Sequence, residues 1–253
     1  MEQIQIVRPE SYIKLKKTGN FIDRTLLIKD LIDGCFAAIL FLRPPGSGKS
    51  IALDMIKTYF EKSDQSSAVF FKDTKIWTLG EEYQAHQGKY PVITLSFKAA
   101  RTEDYQEFVH SINEMVRREF DRHPEIDQVN LANVFIDTFV QKVRENALSD
   151  IEISKTLLVL TRILEEIYTV PAIILIDDVD TPFALPNTED DIERKKIENF
   201  LLRFLACGLK DNAALHFGIL TGVKPLPLFD GLNNLVVDVG DDFRYRQYYG
   251  FTE

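Results

Sequence analysis

Cysteine is nearly absent from this chain, basic residues are outnumbered, and no apolar run is long enough to span a bilayer. Of 253 residues two are cysteine, and 30 Lys and Arg face 39 Asp and Glu, for a net charge of −9. Cys35 falls in an expected buried strand and Cys207 in an expected helix. Neither has metal-ligand spacing, so both read as reduced core residues. His86, His110, His123 and His216 are scattered, which excludes a zinc cluster readable from spacing. The negative balance and the lack of a Lys/Arg-rich stretch argue against a general nucleic-acid footprint, leaving at most a local basic groove. The opening residues, Met1 to Gln5, lack a basic segment followed by an apolar one, so no Sec-type signal is visible. With no membrane-spanning run, the expectation is a soluble, cytoplasmic protein; secretion by a route that reads another signal would leave no recognisable trace.

What the chain has is ordinary globular content, 45% hydrophobic residues, and two local patterns with chemical meaning. The first is Arg43-Pro44-Pro45-Gly46-Ser47-Gly48-Lys49-Ser50, directly after the apolar run 35–42 and directly before the helical pattern that begins Ile51-Ala52-Leu53. Strand, loop and helix in that order are what a nucleoside triphosphate site (a Walker A loop) requires. Residues 45–51 at a helix N-terminus form a cradle for phosphate, with consecutive backbone N–H groups from Gly46 onward. Gly46 and Gly48 let the backbone approach the ligand. Lys49 would set a cation against the outer phosphates, and the Ser50 hydroxyl would ligate Mg²⁺. The glycine usual six residues before the lysine is Arg43 here.

The second pattern is Ala172-Ile173-Ile174-Leu175-Ile176-Asp177-Asp178-Val179-Asp180. A continuous apolar run reads as a strand buried on both faces, as in a parallel sheet. At its acidic exit (a Walker B position) Asp177 would hold the Mg²⁺ complex of ATP, and Asp178 would orient the attacking water.

Strand and helix patterns alternate along the chain, which predicts a parallel sheet with helices on both faces. Strands are expected at 35–42, 90–97, 172–177, 214–220 and 234–239. Helices are expected at 49–61, 103–121, 131–146, 154–168 and from about 194 to 209. The first helix should bury Ile51, Leu53, Met55, Ile56, Tyr59 and Phe60, and apolar surface should return to the core between Val69 and Trp77. This matches a P-loop NTPase three-layer sandwich, with a five-stranded, mainly parallel sheet of ASCE order 5-1-4-3-2 and extra helices between the second and third core strands. In that order the fourth strand lies between the first and third, so Thr221 at its end would stand beside the γ-phosphate as a sensor.

Several blocks in register carry a further resemblance. They are Phe21-Ile22-Asp23-Arg24-Thr25, the loop through Gly48-Lys49-Ser50, Gly88-Lys89-Tyr90-Pro91-Val92-Ile93, Leu175-Ile176-Asp177-Asp178, Leu209-Lys210-Asp211-Asn212, Leu220-Thr221-Gly222, Gly231-Leu232-Asn233-Asn234 and Tyr249-Gly250-Phe251-Thr252-Glu253. Together they resemble the bacterial AAA-ATPase-like family, related to STAND-type ATPases, whose members often carry a PD-(D/E)xK nuclease-like domain after the ATPase module. The resemblance covers nearly all of 21–253 and implies one ATPase-like domain over 1–253. Within it, 1–34 is an entry segment near the nucleotide base and 99–170 a mainly helical insertion. It also makes Arg43 a family habit.

Three departures stand out. Asp178 replaces the family's usual glutamate and is one methylene shorter, which implies slow hydrolysis. Pro45-Gly46-Ser47 replaces a bulkier, more basic stretch. The chain stops at Gly-Phe-Thr-Glu, where the family normally continues into its C-terminal extension.

The function these readings imply is ATP binding with weak or regulated Mg²⁺-dependent hydrolysis, used as a nucleotide-controlled switch. Arg203, Lys224, Arg244 and Arg246 are the cations within the chain that could serve the transition state, and an arginine from a second copy in a homo-oligomer or from a protein partner is the other source. A non-hydrolysing module of STAND or NACHT type, with ATP or ADP as a structural ligand, is the alternative. A small-molecule kinase is a weaker third reading, because no Arg-rich lid is visible.

Overall fold

The computed structural model describes residues 11–19, 21–100, 102, 104–128, 134–184, 191–226, 232, 236–239, 242, 245 and 248. Its five strands are β1 (Ala38–Leu42), β2 (Val92–Ser96), β3 (Ala172–Asp177), β4 (Leu215–Gly222) and β5 (Val236–Asp238). They pair in the order β2-β3-β4-β1-β5, which is 5-1-4-3-2 read from the β5 edge, and every pairing is parallel. All five strands therefore deliver their C-terminal ends to one edge of the sheet.

The helices are α1 (Tyr12–Thr18), α2 (Leu26–Ile32), α3 (Lys49–Phe60), α4 (Lys75–Thr78), α5 (Glu81–Gln84), α6 (Tyr105–Asp121), α7 (Val134–Arg144), α8 (Asp150–Ile153), α9 (Thr156–Tyr168) and α10 (Asp191–Leu209). Successive strand side chains point to opposite faces, and the core divides accordingly. Leu40, Leu95, Ile174, Ile176 and Leu220 join one apolar cluster with α6, α9 and α10. Ile39, Phe41, Ile173, Leu175 and Ile219 join another with α1, α2 and α3. Each fully buried Ile or Phe contributes roughly 1.5–3 kcal/mol relative to exposure, so the sheet is held from both sides. Helix, sheet and helix make three layers, and α6 to α9 are the helices between β2 and β3.

Local sequence explains the element ends. The Asp104 side chain caps α6 by accepting from the Glu107 N–H at 2.8 Å, and the helix stops just before His123-Pro124, where proline bars its continuation. Ser149 and Glu152 form a reciprocal capping box at α8.

Some expectations need correction. Cys35 lies ahead of β1 and is exposed, and Cys207 is half-buried, so neither is a core residue. Ile51 is only partly covered, and Val69 is 61% exposed, while Phe71 and Ile76 supply the apolar surface expected from that stretch. The first strand begins at Ala38 because the Gly34-Cys35-Phe36 stretch adopts no regular structure. The sheet is wholly parallel where an antiparallel element was allowed for.

Candidate phosphate-binding site

Residues 43–48 leave the end of β1 and lead directly into α3. The Arg43 N–H donates to Gly222 O at 3.0 Å, which extends the β1–β4 pairing one residue beyond the strand. Arg43 is not among the residues with positive φ, and this explains why the position does not need glycine. Gly46 (φ 81°) and Gly48 (φ 91°) do lie in the left-handed region, where L side chains are strained. A Cβ on Gly46 would meet nothing within 4 Å, so the demand there is conformational and not steric.

The N-terminus of α3 is built differently from those of α1, α6 and α8. Those three have side-chain caps, whereas α3, like α2, α4, α5 and α9, has none, and it carries no acidic residue in its first turn. Its leading N–H groups stay available to an anion. Two buried polar atoms in the same loop, Arg43 Nε and Ser47 Oγ, have no hydrogen-bond partner among the described residues. Buried orphans are costly, and a phosphate chain cradled here would present acceptors to both.

Lys49 is 6% exposed and its Nζ donates to Arg43 O (2.8 Å) and Pro44 O (3.2 Å), so the loop wraps around the ammonium. Burial pulls its pKa below the usual lysine range, against the opposing influence of Asp178, Asp177 and Asp180. Ser50 sits in the first turn of α3 and is exposed.

Sheet order sets the acidic side of the site. Because β4 lies between β1 and β3, the Thr221 side chain reaches Asp177: its Oγ1 donates to Asp177 Oδ1. The Asp178 N–H is 3.1 Å from Asp177 Oδ1 and 3.4 Å from Thr221 Oγ1. Thr221 is 0% exposed, so its hydroxyl braces Asp177 from within the sheet. Asp178 takes φ 56°, a left-handed conformation that aspartate tolerates better than most residues. Burial pushes its carboxyl pKa up, Asp177 pushes it further, and Lys49 opposes both.

Three residues escaped the sequence reading. Asp180 is buried, and its Oδ2 accepts from the Val223 and Lys224 N–H groups at 3.0 and 2.8 Å, tying the β3 exit to the end of β4. A Cβ on Gly222 would stand 2.8 Å from Asp180 Oδ1, which is why this strand end is glycine. Arg24 lies against the phosphate loop, with Nη1 3.5 Å from where a Gly48 Cβ would sit and 3.0 Å from Tyr248 O. Lys98, in the turn Phe97–Ala99 that follows β2, is close enough to lower the pKa of Asp178. Only Lys98 left a legible signal, a lysine directly after an expected strand.

Asp177 and Asp178 carry their carboxylates at the β3 exit facing Lys49, and with Ser50 they are the side-chain oxygens a divalent cation would meet there. Among the described residues no group of three or more His, Cys, Asp or Glu is arranged to hold a metal ion. Mg²⁺ commonly binds through one or two protein oxygens together with phosphate oxygens and water, and the donor set fits that mode. Of the other cations expected, Arg203 is exposed on α10 and Lys224 is exposed after β4, while Arg244 and Arg246 lie outside the described residues. Among the described residues no helix is long and apolar enough to cross a membrane.

The family model for AAA-ATPase-like proteins, described as a predicted AAA-ATPase, matches residues 9–230. No curated protein and no solved structure shows significant similarity to the chain.

Proposed function

The chain belongs to the AAA-ATPase-like family, and from that premise we propose that it binds ATP with Mg²⁺ at the carboxyl edge of the sheet and hydrolyses it slowly, as a nucleotide-controlled switch of the ASCE class. The observation that carries this reading is the uncapped start of α3 beside a buried lysine and a three-carboxylate exit from β3. Lys49 would neutralise β- and γ-phosphate charge, and the N–H groups of residues 46–51, led into by Pro45, would hold phosphate oxygens. Ser50 and Asp177 would hold Mg²⁺, which supplies further charge neutralisation. Asp178 would orient the attacking water. Thr221, buried behind Asp177, would sense the terminal phosphate through that carboxylate.

A second reading is supported by Asp178 itself, which stands where the family resemblance implies glutamate and is one methylene shorter. If that carboxylate does not reach the water, the protein is a non-hydrolysing STAND- or NACHT-like module with structural ATP or ADP. Such a ligand at ~1,000-fold excess over Kd would add about 4 kcal/mol to stability. Phosphate release from the wild type and from Asp178→Ala, measured with Mg²⁺ and ATP, separates the two. Slow release in the wild type that disappears in the variant supports the ATPase; no release from either protein removes it and leaves the module.

A further inference from the structure

We propose that Lys98 is a further cation of this site, beyond those of the phosphate loop, and contacts the terminal phosphate of a bound nucleoside triphosphate. The assignment rests on the nucleotide reading of the phosphate loop and extends it to a strand that the reading does not use. It starts from topology. β2 is the immediate neighbour of β3, and its last residue, Ser96, is in register with Asp177. The chain then turns through Phe97–Ala99, with the Ser96 side chain accepting from the Lys98 N–H at 3.4 Å. Phe97 is fully buried and anchors that turn in the core, while Lys98 beside it is exposed. The β2 end therefore presents a long cationic side chain on the same edge as Lys49, Asp177 and Asp178, on the opposite side of the acidic pair from β4.

Two lysines thus stand at this edge of the sheet, Lys49 at the start of α3 and Lys98 in the turn that follows β2. Lys49 already donates to the loop carbonyls of Arg43 and Pro44. Among the described residues the Lys98 ammonium forms no ion pair, so its charge stays available to an anion arriving between the loop and Asp178. A γ-phosphate is an anion of that kind, and it is the group that distinguishes ATP from ADP. Lys98 would thereby supply from within the chain part of the charge that other phosphoryl-transfer sites take from an added arginine.

The test is a comparison of nucleotide affinities. Binding of ADP and of a non-hydrolysable ATP analogue, both with Mg²⁺, is measured by calorimetry on the full chain and on Lys98→Ala and Lys98→Arg. The expected result is a loss of ~10-fold or more in analogue affinity for Lys98→Ala, the scale of one charge-assisted hydrogen bond. ADP affinity should be retained, which also shows that the variant is folded, and Lys98→Arg should recover most of the preference. Equal losses for both nucleotides, or no loss for either, would overturn the assignment while leaving the nucleotide site intact. Absence of nucleotide binding by the unsubstituted protein would overturn both together.

Discussion

Two carboxylates, one on a helix packed against β2 and one at the exit of the neighbouring β3, are treated in opposite ways by this fold. Glu119, on α6 against the free edge of β2, is 5% exposed and fully engaged. Its Oε1 accepts from the Thr94 N–H at 2.7 Å and from Arg122 Nη2 at 2.6 Å, and its Oε2 accepts from Arg122 Nε at 3.0 Å. Arg122 also bonds Glu61 and Val92 O. Burial alone would push the Glu119 carboxyl up, yet His123 and Arg122 hold it below the usual range. Asp178, at the exit of β3, is shifted up by burial and by Asp177. One carboxylate closes a sheet edge, with α6 satisfying backbone groups that β2 would otherwise leave open. The other is left under-compensated in strained backbone. The difference teaches where each charge belongs: a satisfied buried charge is architecture, and an unsatisfied one at a strand exit marks a site waiting for a ligand.

The comparison can be broken in several ways. Glu119→Ala should cost the most, about 3 kcal/mol in denaturant unfolding, because it removes a buried carboxylate that accepts from both the Thr94 N–H and Arg122; an unchanged midpoint would remove the structural role. Gly222→Ala should cost about 1–3 kcal/mol by pressing a Cβ into the Asp180 brace, measured by thermal melting. The pH dependence should differ in sign. Glu119 has a lowered folded-state pKa, so its stabilisation is present above the ordinary carboxylate range and is lost as pH falls. In Glu119→Gln that acid-side slope should be reduced. Asp178 has a raised one, so without nucleotide or metal the folded state binds more protons than the unfolded one, and stability declines as pH rises through the shifted range. The smallest effect is therefore a gain. Asp178→Asn, which keeps a side chain tolerant of left-handed backbone, should melt slightly higher at neutral pH in the absence of ligand. A lower melting temperature would place Asp178 with Glu119 after all.

Much of this was legible because short, strongly patterned segments dictate it. The apolar run ending at Leu42, the Gly-Ser-Gly-Lys-Ser loop and the run into Asp177-Asp178 each carry their own periodicity and punctuation. The alternation of strands and helices then predicted the parallel sheet with helices on both faces. What stayed hidden depends on distance in three dimensions. Nothing in the residues around Arg24 says that its guanidinium lies against Gly48, and nothing around Asp180 says that it accepts from the Val223 and Lys224 N–H groups. Cys35 misled because Phe36, Ala37 and the apolar residues after them extend the strand pattern backward, although β1 begins only at Ala38. Thr221 is readable as a strand-end residue beside the site, but its hydroxyl's bond to Asp177 depends on the β3–β4 pairing.

The account stands on the claim that Lys49 and the start of α3 hold a nucleotide phosphate chain. Calorimetric titration of Mg²⁺ and ATP into the wild-type chain and into Lys49→Ala tests it most directly. The prediction is saturable, roughly stoichiometric binding by the wild type, with affinity reduced at least ~100-fold in the variant, as expected for loss of a buried charge-assisted contact. Full nucleotide affinity in Lys49→Ala, or none in the wild type, would contradict it.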